Sequence, residues 1–281
     1  MKESVSAPLL SVIIPTRHRL DLLAECLDCL RPQVQGLTVD ELEVIVSDDG
    51  VAPTAQRMIS EQYPWVRWIK GPEKGPASNR NHGAGFARAP LLAFVDDDCL
   101  PASGWAAAYL QAAEAFPGYQ VFEGKTVADR PQMRFDEVSP VNETGGNLWT
   151  CNLMVRAEYF KAIGGFCEDF RFELEDLEFK TRVEKDQQPL CFVAEARVCH
   201  PWRKVVKRDT IAVDSIMTFL KHHPDHKQYY SLTTRLKIIL PRFFLLVPEA
   251  FRFRFRGIHY VVPHLLYELR SAFVIAYRLS K

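Results

Sequence analysis

The sequence predicts an α/β fold: a mixed, mainly parallel sheet flanked by helices, with a helical appendage at the C-terminal end. Three observations predict it. Short apolar runs rich in β-branched residues alternate with segments of helical period over residues 10–95. Those runs are apolar throughout, as in strands covered on both faces. Past residue 205 the strand signals stop, and apolar residues recur only at helical spacing.

Leu10–Pro15 (LSVIIP) reads as the first strand, and Leu20–Leu30 as a helix carried by Leu22, Leu23, Cys26, Leu27 and Leu30. Glu43–Ser47 (EVIVS) is a second strand and runs into Asp48-Asp49-Gly50. A helix over 53–62, a strand over Val66–Lys70 and a helix over Pro76–Arg88, with proline in its first turn, come next. Leu91–Val95 (LLAFV) is strongly apolar and leads straight into Asp96-Asp97-Asp98. A helix over Trp105–Phe116 and a strand over Val121–Val127 precede residues 128–148, whose Pro, Asp, Asn and paired Gly145-Gly146 read as one long loop. Loops of that length inside a domain usually serve function. Thr150–Val155 reads as a strand, Ala157–Ile163 as a helix stopped by Gly164-Gly165, Leu174–Lys185 as a helix and Leu190–Ala194 as the last clear strand. In the appendage, Ile211–Leu220 and Leu232–Leu240 are amphipathic helices, Pro241 and Pro248 break the pattern, and Leu265, Leu266, Leu269, Phe273 and Tyr277 resume helical spacing.

With 281 residues, nearly half of them apolar, the chain can bury the core of one large α/β domain plus an appendage. The net charge is zero but segregated. Residues 1–200 hold 20 Lys+Arg against 30 Asp+Glu, and residues 201–281 hold 15 against 5. The acidic front suits a cation site, and the basic tail an anionic partner such as a membrane surface. Seven scattered cysteines and a short polar Met1–Pro8 point to a reducing, cytoplasmic setting. The Cys26-x-x-Cys29 pair lies in a helical pattern with no second pair at zinc spacing, which favours a buried helix face over a metal or redox site. No apolar run reaches the ~18 residues of a membrane span.

In open parallel sheets ligands bind beyond the carboxyl ends of the strands. Three strands here end in site-like residues: Pro15-Thr16, Asp48-Asp49 and Asp96-Asp97-Asp98. Three consecutive carboxylates repel one another, and either they form a solvated acidic turn or a hard divalent cation, Mn²⁺ or Mg²⁺, relieves this and can bridge a diphosphate; their place directly after a buried strand favours the cation. A second acidic cluster, Glu173, Glu175, Asp176 and Glu178, offers a general base; its ordinary alternative is a surface ion pair of Asp176 with Lys180. His200, after an apolar strand, is either structural or a nitrogen ligand to the same cation. Arg80 either bridges diphosphate oxygens near a helix start or pairs with the aspartates. Neither GxGxxG nor GxxxxGK[ST] is present.

At these residues the sequence resembles the family 2 glycosyltransferases, which have the GT-A fold. The likeness runs from about Leu10 to Trp202. It rests on Ser11-Val12-Ile13-Ile14-Pro15-Thr16, on Val46-Ser47-Asp48-Asp49-Gly50, and on Gly75-Pro76-Ala77-Ser78-Asn79-Arg80-Asn81-His82-Gly83 followed by Leu92–Asp98. Further along it rests on Asn152–Arg156, on Gly164-Gly165-Phe166, and on Glu175-Asp176-Leu177-Glu178-Phe179 with Arg182. Six blocks in the family's order make a specific match. The resemblance departs where Ser47 replaces a frequent Asp, where the acidic triplet leaves the DxD register open, and where Glu173 offers a second candidate acid.

The resemblance implies an inverting, metal-dependent glycosyltransferase of cell-surface glycan or glycolipid assembly. It moves a sugar from a nucleotide-sugar, a UDP-sugar by family habit, to the hydroxyl of a saccharide or lipid-linked acceptor. Residues 1–205 form the catalytic domain, a nucleotide-binding half of about 1–100 and an acceptor half of about 101–205; residues 206–281 form the amphipathic basic tail. Pro15, Thr16, Arg19, Asp48, Asp49, Arg80, Asp96 and Asp97 bind the nucleotide-sugar. Asp98 and His200 hold the metal, and Asp176, with Glu175 beside it, is the catalytic base. The 128–149 loop borders the acceptor, and Trp149 is either a stacking face for a sugar or a core residue. The Gln-x-x-Arg-Trp motif of processive relatives is missing, so one sugar is added per encounter. The tail either meets an anionic membrane surface, making the protein peripheral on the cytoplasmic face, or caps the domain. No nucleic-acid motif accompanies its charge. The rival readings are a sugar nucleotidyltransferase, which would need a glycine-rich loop where Pro15-Thr16-Arg17-His18-Arg19 stands, and a non-catalytic nucleotide-sugar-binding module of the same fold.

Overall fold

The runs Leu10–Thr16, Leu42–Asp48 and Leu91–Phe94 form strands buried at almost every position. The computed structural model describes residues 7–52, 54–204 and 211–280. Pro53, the expected start of the second helix, and the 205/206 boundary therefore lie outside the described residues. In chain order the elements are β1 (Leu10–Thr16), α1 (Leu20–Cys29), β2 (Leu42–Asp48), α2 (Gln56–Gln62), β3 (Val66–Lys70), α3 (Pro76–Gly85), β4 (Leu91–Phe94), β5 (Leu100–Pro101), α4 (Trp105–Ala115) and β6 (Val121–Val127). They continue with β7 (Glu137–Val138), β8 (Leu153–Arg156), α5 (Ala157–Ala162), α6 (Glu175–Lys185), β9 (Leu190–Cys199), β10 (Arg203–Lys204), α7 (Ile211–His222), α8 (Leu232–Arg252) and α9 (Ile258–Leu279). The described residues fall into two units, one within 1–129, 140–171 and 175–201, the other within 130–139, 172–174 and 202–281.

The first unit is built on a sheet that, among the described residues, has eight strands in the order β3-β2-β1-β4-β8-β6-β9-β5. Strands β1 to β4 are mutually parallel, β8 runs against β4 and β6, and β9 is parallel to β6. This is the mixed, mainly parallel sheet expected. The period-2 alternation of each strand divides the core into two layers. Leu10, Val12 and Ile14 of β1 pack under α1 and α4 with Leu23, Leu27, Trp105 and Tyr109. Ile13 faces the opposite layer with Phe94, Phe160, Phe166 and Phe179, on the side of α3, α5 and α6. Helix α3 approaches β1 so closely that a Cβ on Gly83 would lie 2.6 Å from Ile13 Cγ2, which explains a glycine inside that helix.

Two strand expectations are corrected. Thr150–Asn152 is a 3₁₀ turn rather than strand. The buried Asn152 amide accepts from Trp105 Nε1 and Tyr109 Oη and donates to the Lys125 and Ala196 carbonyls, so its side chain occupies a node that a regular strand could not hold. Strand β9 continues five residues beyond Ala194. The exposed Glu195 and Arg197 hide this in the sequence, but Ala196 and Val198 between them are buried, and a register shift at Gly124/Thr126 of β6 accommodates the extension.

The expected 128–148 loop is not one structure. Residues 130–139 belong to the second unit, where β7 pairs antiparallel with β10. Residues 140–148 stay with the first unit and wrap the buried Glu123 carboxylate, which accepts from Asn142 Nδ2 and from the backbone N–H groups of Gly146, Asn147 and Leu148.

In the second unit α8 packs on α9, with Arg242 on Glu268 at 2.6 Å, and Arg278 of α9 reaches Asp214 of α7 at 2.8 Å. Pro241 and Pro248 do not break α8, contrary to the sequence reading. Both prolines are exposed, so the carbonyls they orphan, on Lys237 and Phe244, lie on the solvated flank, while the inward stripe through Ile239 and Ala250 stays packed. Among the described residues no helix is long and apolar enough to cross a membrane.

Candidate active site

Register alone brings the strand ends together. Thr16 lies level with Asp48, and Ile13 opposite Phe94 puts position 97 at the same height. Thr16 Oγ1 accordingly donates to Asp97 Oδ2 at 2.7 Å. Because β9 runs parallel to β6, and β6 to β4, the end of β9 delivers His200 to this same edge.

Each member of the acidic triplet meets a different partner. Asp96 takes Arg80 Nη2 at 2.5 Å. Asp97 and Asp98 share Arg19 Nη1, at 3.0 Å each. Asp98 Oδ1 also lies 3.4 Å from His200 Nε2. The repulsion expected among the three carboxylates is thus met within the protein by two arginines. Burial still pushes the Asp97 carboxyl up to about 6, against the pull of Arg19 and Thr16 and with help from Asp98 and Asp96.

Arg80, on α3, is buried and displays the second of the two roles the sequence left open, pairing with acids. Its Nη1 donates to Glu175 Oε1 at 2.9 Å while Nη2 holds Asp96. Burial works against the guanidinium charge, but the two carboxylates outweigh it and raise its pKa. Asp176 follows Glu175 in the first turn of α6 and is partly buried, its Oδ1 accepting from Leu177 N at 2.7 Å. Burial first and the Glu175 charge second push its carboxyl up to about 6, with Leu177 N–H and Arg80 pulling it down. Lys180 pairs with Glu184 at 3.6 Å, not with Asp176. Glu178 forms a two-pronged pair with Arg182, whose other contacts are the Ile163 and Gly165 carbonyls. That pair fixes α6 to the glycine turn after α5. Glu173 falls in the second unit.

Pro15 is half-buried beside Thr16 at the end of β1. Asp48 is fully engaged: Gly50 N and Ala55 N donate to it at 2.7 Å and Trp68 Nε1 at 3.2 Å. It therefore shapes the loop after β2 from within. Asp49 accepts from Glu73 N and Gly75 N, tying that loop to the start of α3, where Gly75 adopts φ +103° ahead of Pro76. Trp149 packs against the core, and its indole N–H has no partner among the described residues.

One further residue belongs to this edge. Cys99 Sγ, a carboxylate oxygen of Asp98 and a ring nitrogen of His200 lie within 4.8 Å of one another. The donor set fits a divalent cation. His200 Nδ1 lies 3.0 Å from the Pro201 carbonyl; donation there fixes the tautomer and leaves Nε2 facing Asp98, the arrangement of metal-binding histidines. Burial, with Cys151 beside it, holds the Cys99 thiol well above the ordinary thiol range. Sequence reasoning passed over Cys99, although its place directly after the triplet was a signal. Trp68 was missed as well, because one indole on a half-exposed strand looks like any other. Cys26 is buried in α1 and Cys29 half-buried, and among the described residues neither joins a metal-like cluster.

Residues 11–163, more than half of the chain, match the family model for glycosyl transferase family 2. The chain belongs to glycosyl transferase family 2. Among its relatives are two validoxylamine A glucosyltransferases. That of Streptomyces hygroscopicus subsp. jinggangensis is 30% identical over 233 residues, 67% of this chain and 54% of its own length. That of subsp. limoneus is 29% identical over 233 residues, covering 67% and 51%. The chain thus spans about half the length of these relatives. A Campylobacter jejuni GalNAc(5)-diNAcBac-PP-undecaprenol beta-1,3-glucosyltransferase is 31% identical over 111 residues, 38% of this chain and 35% of its own. S. aureus TarS 1–349, solved with UDP-GlcNAc, shares the fold with a TM-score of 0.55 at 20% identity, over 75% of this chain and 65% of TarS 1–349. The family 2 sheet described above is therefore the GT-A architecture.

Proposed function

We propose that this family 2 chain is an inverting glycosyltransferase that moves one sugar from a UDP-sugar to an acceptor hydroxyl. The observation that supports this best is the Asp96–Arg80–Glu175 bridge, which sets the acidic strand end beside the first turn of α6, where Asp176 stands. Donor chemistry at the strand end and acceptor chemistry at the helix start would then share one pocket. The UDP-GlcNAc held by TarS and the glucosyltransferase relatives favour a uridine nucleotide and a hexose.

In this reading Pro15, Thr16 and the loop ordered by Asp48 and Asp49 frame the base and ribose, while Asp96, Asp97 and Arg19 border the diphosphate. A divalent cation, Mn²⁺ or Mg²⁺, held by Asp98 and His200, supplies charge neutralisation at the diphosphate when bound. Arg80 keeps Asp96 and Glu175 in place. Asp176 takes the proton of the acceptor hydroxyl as its oxygen bonds to the anomeric carbon, and the bonding pair of the anomeric C–O bond leaves with the nucleoside diphosphate. Its elevated pKa makes Asp176 a better base than an ordinary aspartate while leaving it ionised at neutral pH. A carboxylate attacking the sugar itself would give retention instead.

The test is release of UDP from UDP-glucose and UDP-GlcNAc with Mn²⁺ present, with water as the default acceptor. Slow turnover that Asp176→Asn abolishes supports the reading. Tight UDP binding without any turnover would make the chain a non-catalytic module.

A further inference from the structure

Helix α8 carries two apolar stripes. Leu236, Ile239, Phe243, Leu246 and Ala250 face inward, with Ile239 and Ala250 buried. Leu240, Phe244, Val247 and Phe251 repeat at the same helical spacing on another face and are 47%, 82%, 63% and 68% exposed. A helix that only caps a domain needs the first stripe and not the second.

The exposed stripe ends in an unusual turn. Arg254, Phe255 and Gly257 have φ of +50°, +60° and +85°, a left-handed course that ordinary residues adopt reluctantly. This turn sets Phe255 edge-on against Phe251, with ring centroids 5.4 Å apart and both rings largely exposed. In the same turn Arg252, Arg254 and Arg256 line a cavity of about 250 Å³ with Gln132, Met133 and Phe253. The two acids packed behind this turn are already taken: Asp136, against Gly257, holds Arg134 and Glu137 holds Arg130, each at 2.8 Å. Residues 232–280 contain eight Lys+Arg and only Glu249 and Glu268. Arg252 takes the first at 3.4 Å and Arg242 the second at 2.6 Å, leaving Arg254 and Arg256 with no acidic partner among the described residues.

A projecting aromatic pair, an apolar stripe without acids and a cluster of guanidiniums match one occupant. We infer that α8 and the turn after it dock on an anionic phospholipid surface: Phe244, Phe251 and Phe255 enter the acyl boundary, and Arg252, Arg254 and Arg256 meet headgroup phosphates. A second copy of the chain would set arginine against arginine across this face, which charge disfavours. The helix lies in the interface, since no helix among the described residues can span a bilayer. The inference stands apart from the sugar-transfer reading.

The experiment is co-sedimentation of the full chain with vesicles of phosphatidylcholine alone and of phosphatidylcholine with phosphatidylglycerol in equal parts. The protein should pellet with the anionic vesicles, less so in high salt, and remain in solution with the neutral ones. Arg254→Gln with Arg256→Gln should weaken partition about thirtyfold, at about 1 kcal/mol per charge lost near the surface. Phe251→Ser with Phe255→Ser should weaken it further, with an unchanged circular dichroism spectrum because the replaced rings are exposed. Phe251→Trp should add fluorescence that brominated lipids quench. Failure to pellet with anionic vesicles, equal pelleting of the phenylalanine double variant, or a dimer that this variant converts to monomer would each overturn the inference.

Discussion

The Arg80 guanidinium lies 2.9 Å from the Glu175 carboxylate, across 95 residues of chain. Since its other terminal nitrogen holds Asp96, one buried cation joins the end of β4 to the start of α6. Removing it leaves two carboxylates without their buried partner. Arg80→Met should therefore destabilise the fold by about 3–5 kcal/mol, measured by urea unfolding. Arg80→Lys should recover only part of this, because a single ammonium cannot span both acids. Equal stability of all three proteins would show that the bridge is incidental.

Asp176 gives a pH signature. Unfolded, its carboxyl titrates near its ordinary 3.8; folded, near 6. The folded state thus holds the proton more tightly, so the stability Asp176 contributes below pH 4 is lost as pH rises through 6. Asp176→Asn should match the wild type near pH 4 and be more stable by about 1–2 kcal/mol above pH 6, a figure below the full shift because the side chain is only partly buried. Transfer should fall by about 10²–10⁴-fold in the same variant. In the wild type kcat/KM should rise toward a plateau above about pH 6. A variant both less stable and fully active would remove Asp176 from the proposed chemistry.

Glu123 is the anchor of the 140–148 segment, accepting from one side-chain amide and three backbone N–H groups at the end of that loop. Glu123→Ala would leave the buried Asn142 amide and the Leu148 N–H without this acceptor, while the exposed Gly146 and Asn147 N–H groups turn to water, a loss of about 1–3 kcal/mol. Hydrogen exchange at Gly146, Asn147 and Leu148 should accelerate before any change in β1 or β2.

Much of this was legible in the sequence because buried parallel strands announce themselves as unbroken apolar runs, and polar residues directly after such runs must share one edge. That logic placed Thr16, Asp48 and Asp97 together, while for His200 it allowed either a structural role or a ligand's until the resemblance favoured the second. It failed where side chains, not periodicity, decide the backbone. Asn152 replaces strand with a 3₁₀ turn through its amide contacts, and Glu195 and Arg197 disguise the second half of β9. In α8 the packed stripe outweighs two prolines, each worth about 3 kcal/mol against a helix, which local rules cannot foresee. The Arg80–Glu175 pair was invisible because sequence distance carries no record of which helix start faces which strand end.

The central claim is that Asp98 and His200 prepare one sheet edge for a divalent cation and a nucleoside diphosphate. Thermal unfolding with UDP, with Mn²⁺ and with both tests it most directly. The account predicts that UDP raises Tm strongly only when Mn²⁺ is present, and that Asp98→Asn or His200→Ala abolishes the joint shift measured from each variant's own ligand-free Tm. The same Tm with and without the pair, or an undiminished joint shift in both variants, would contradict it.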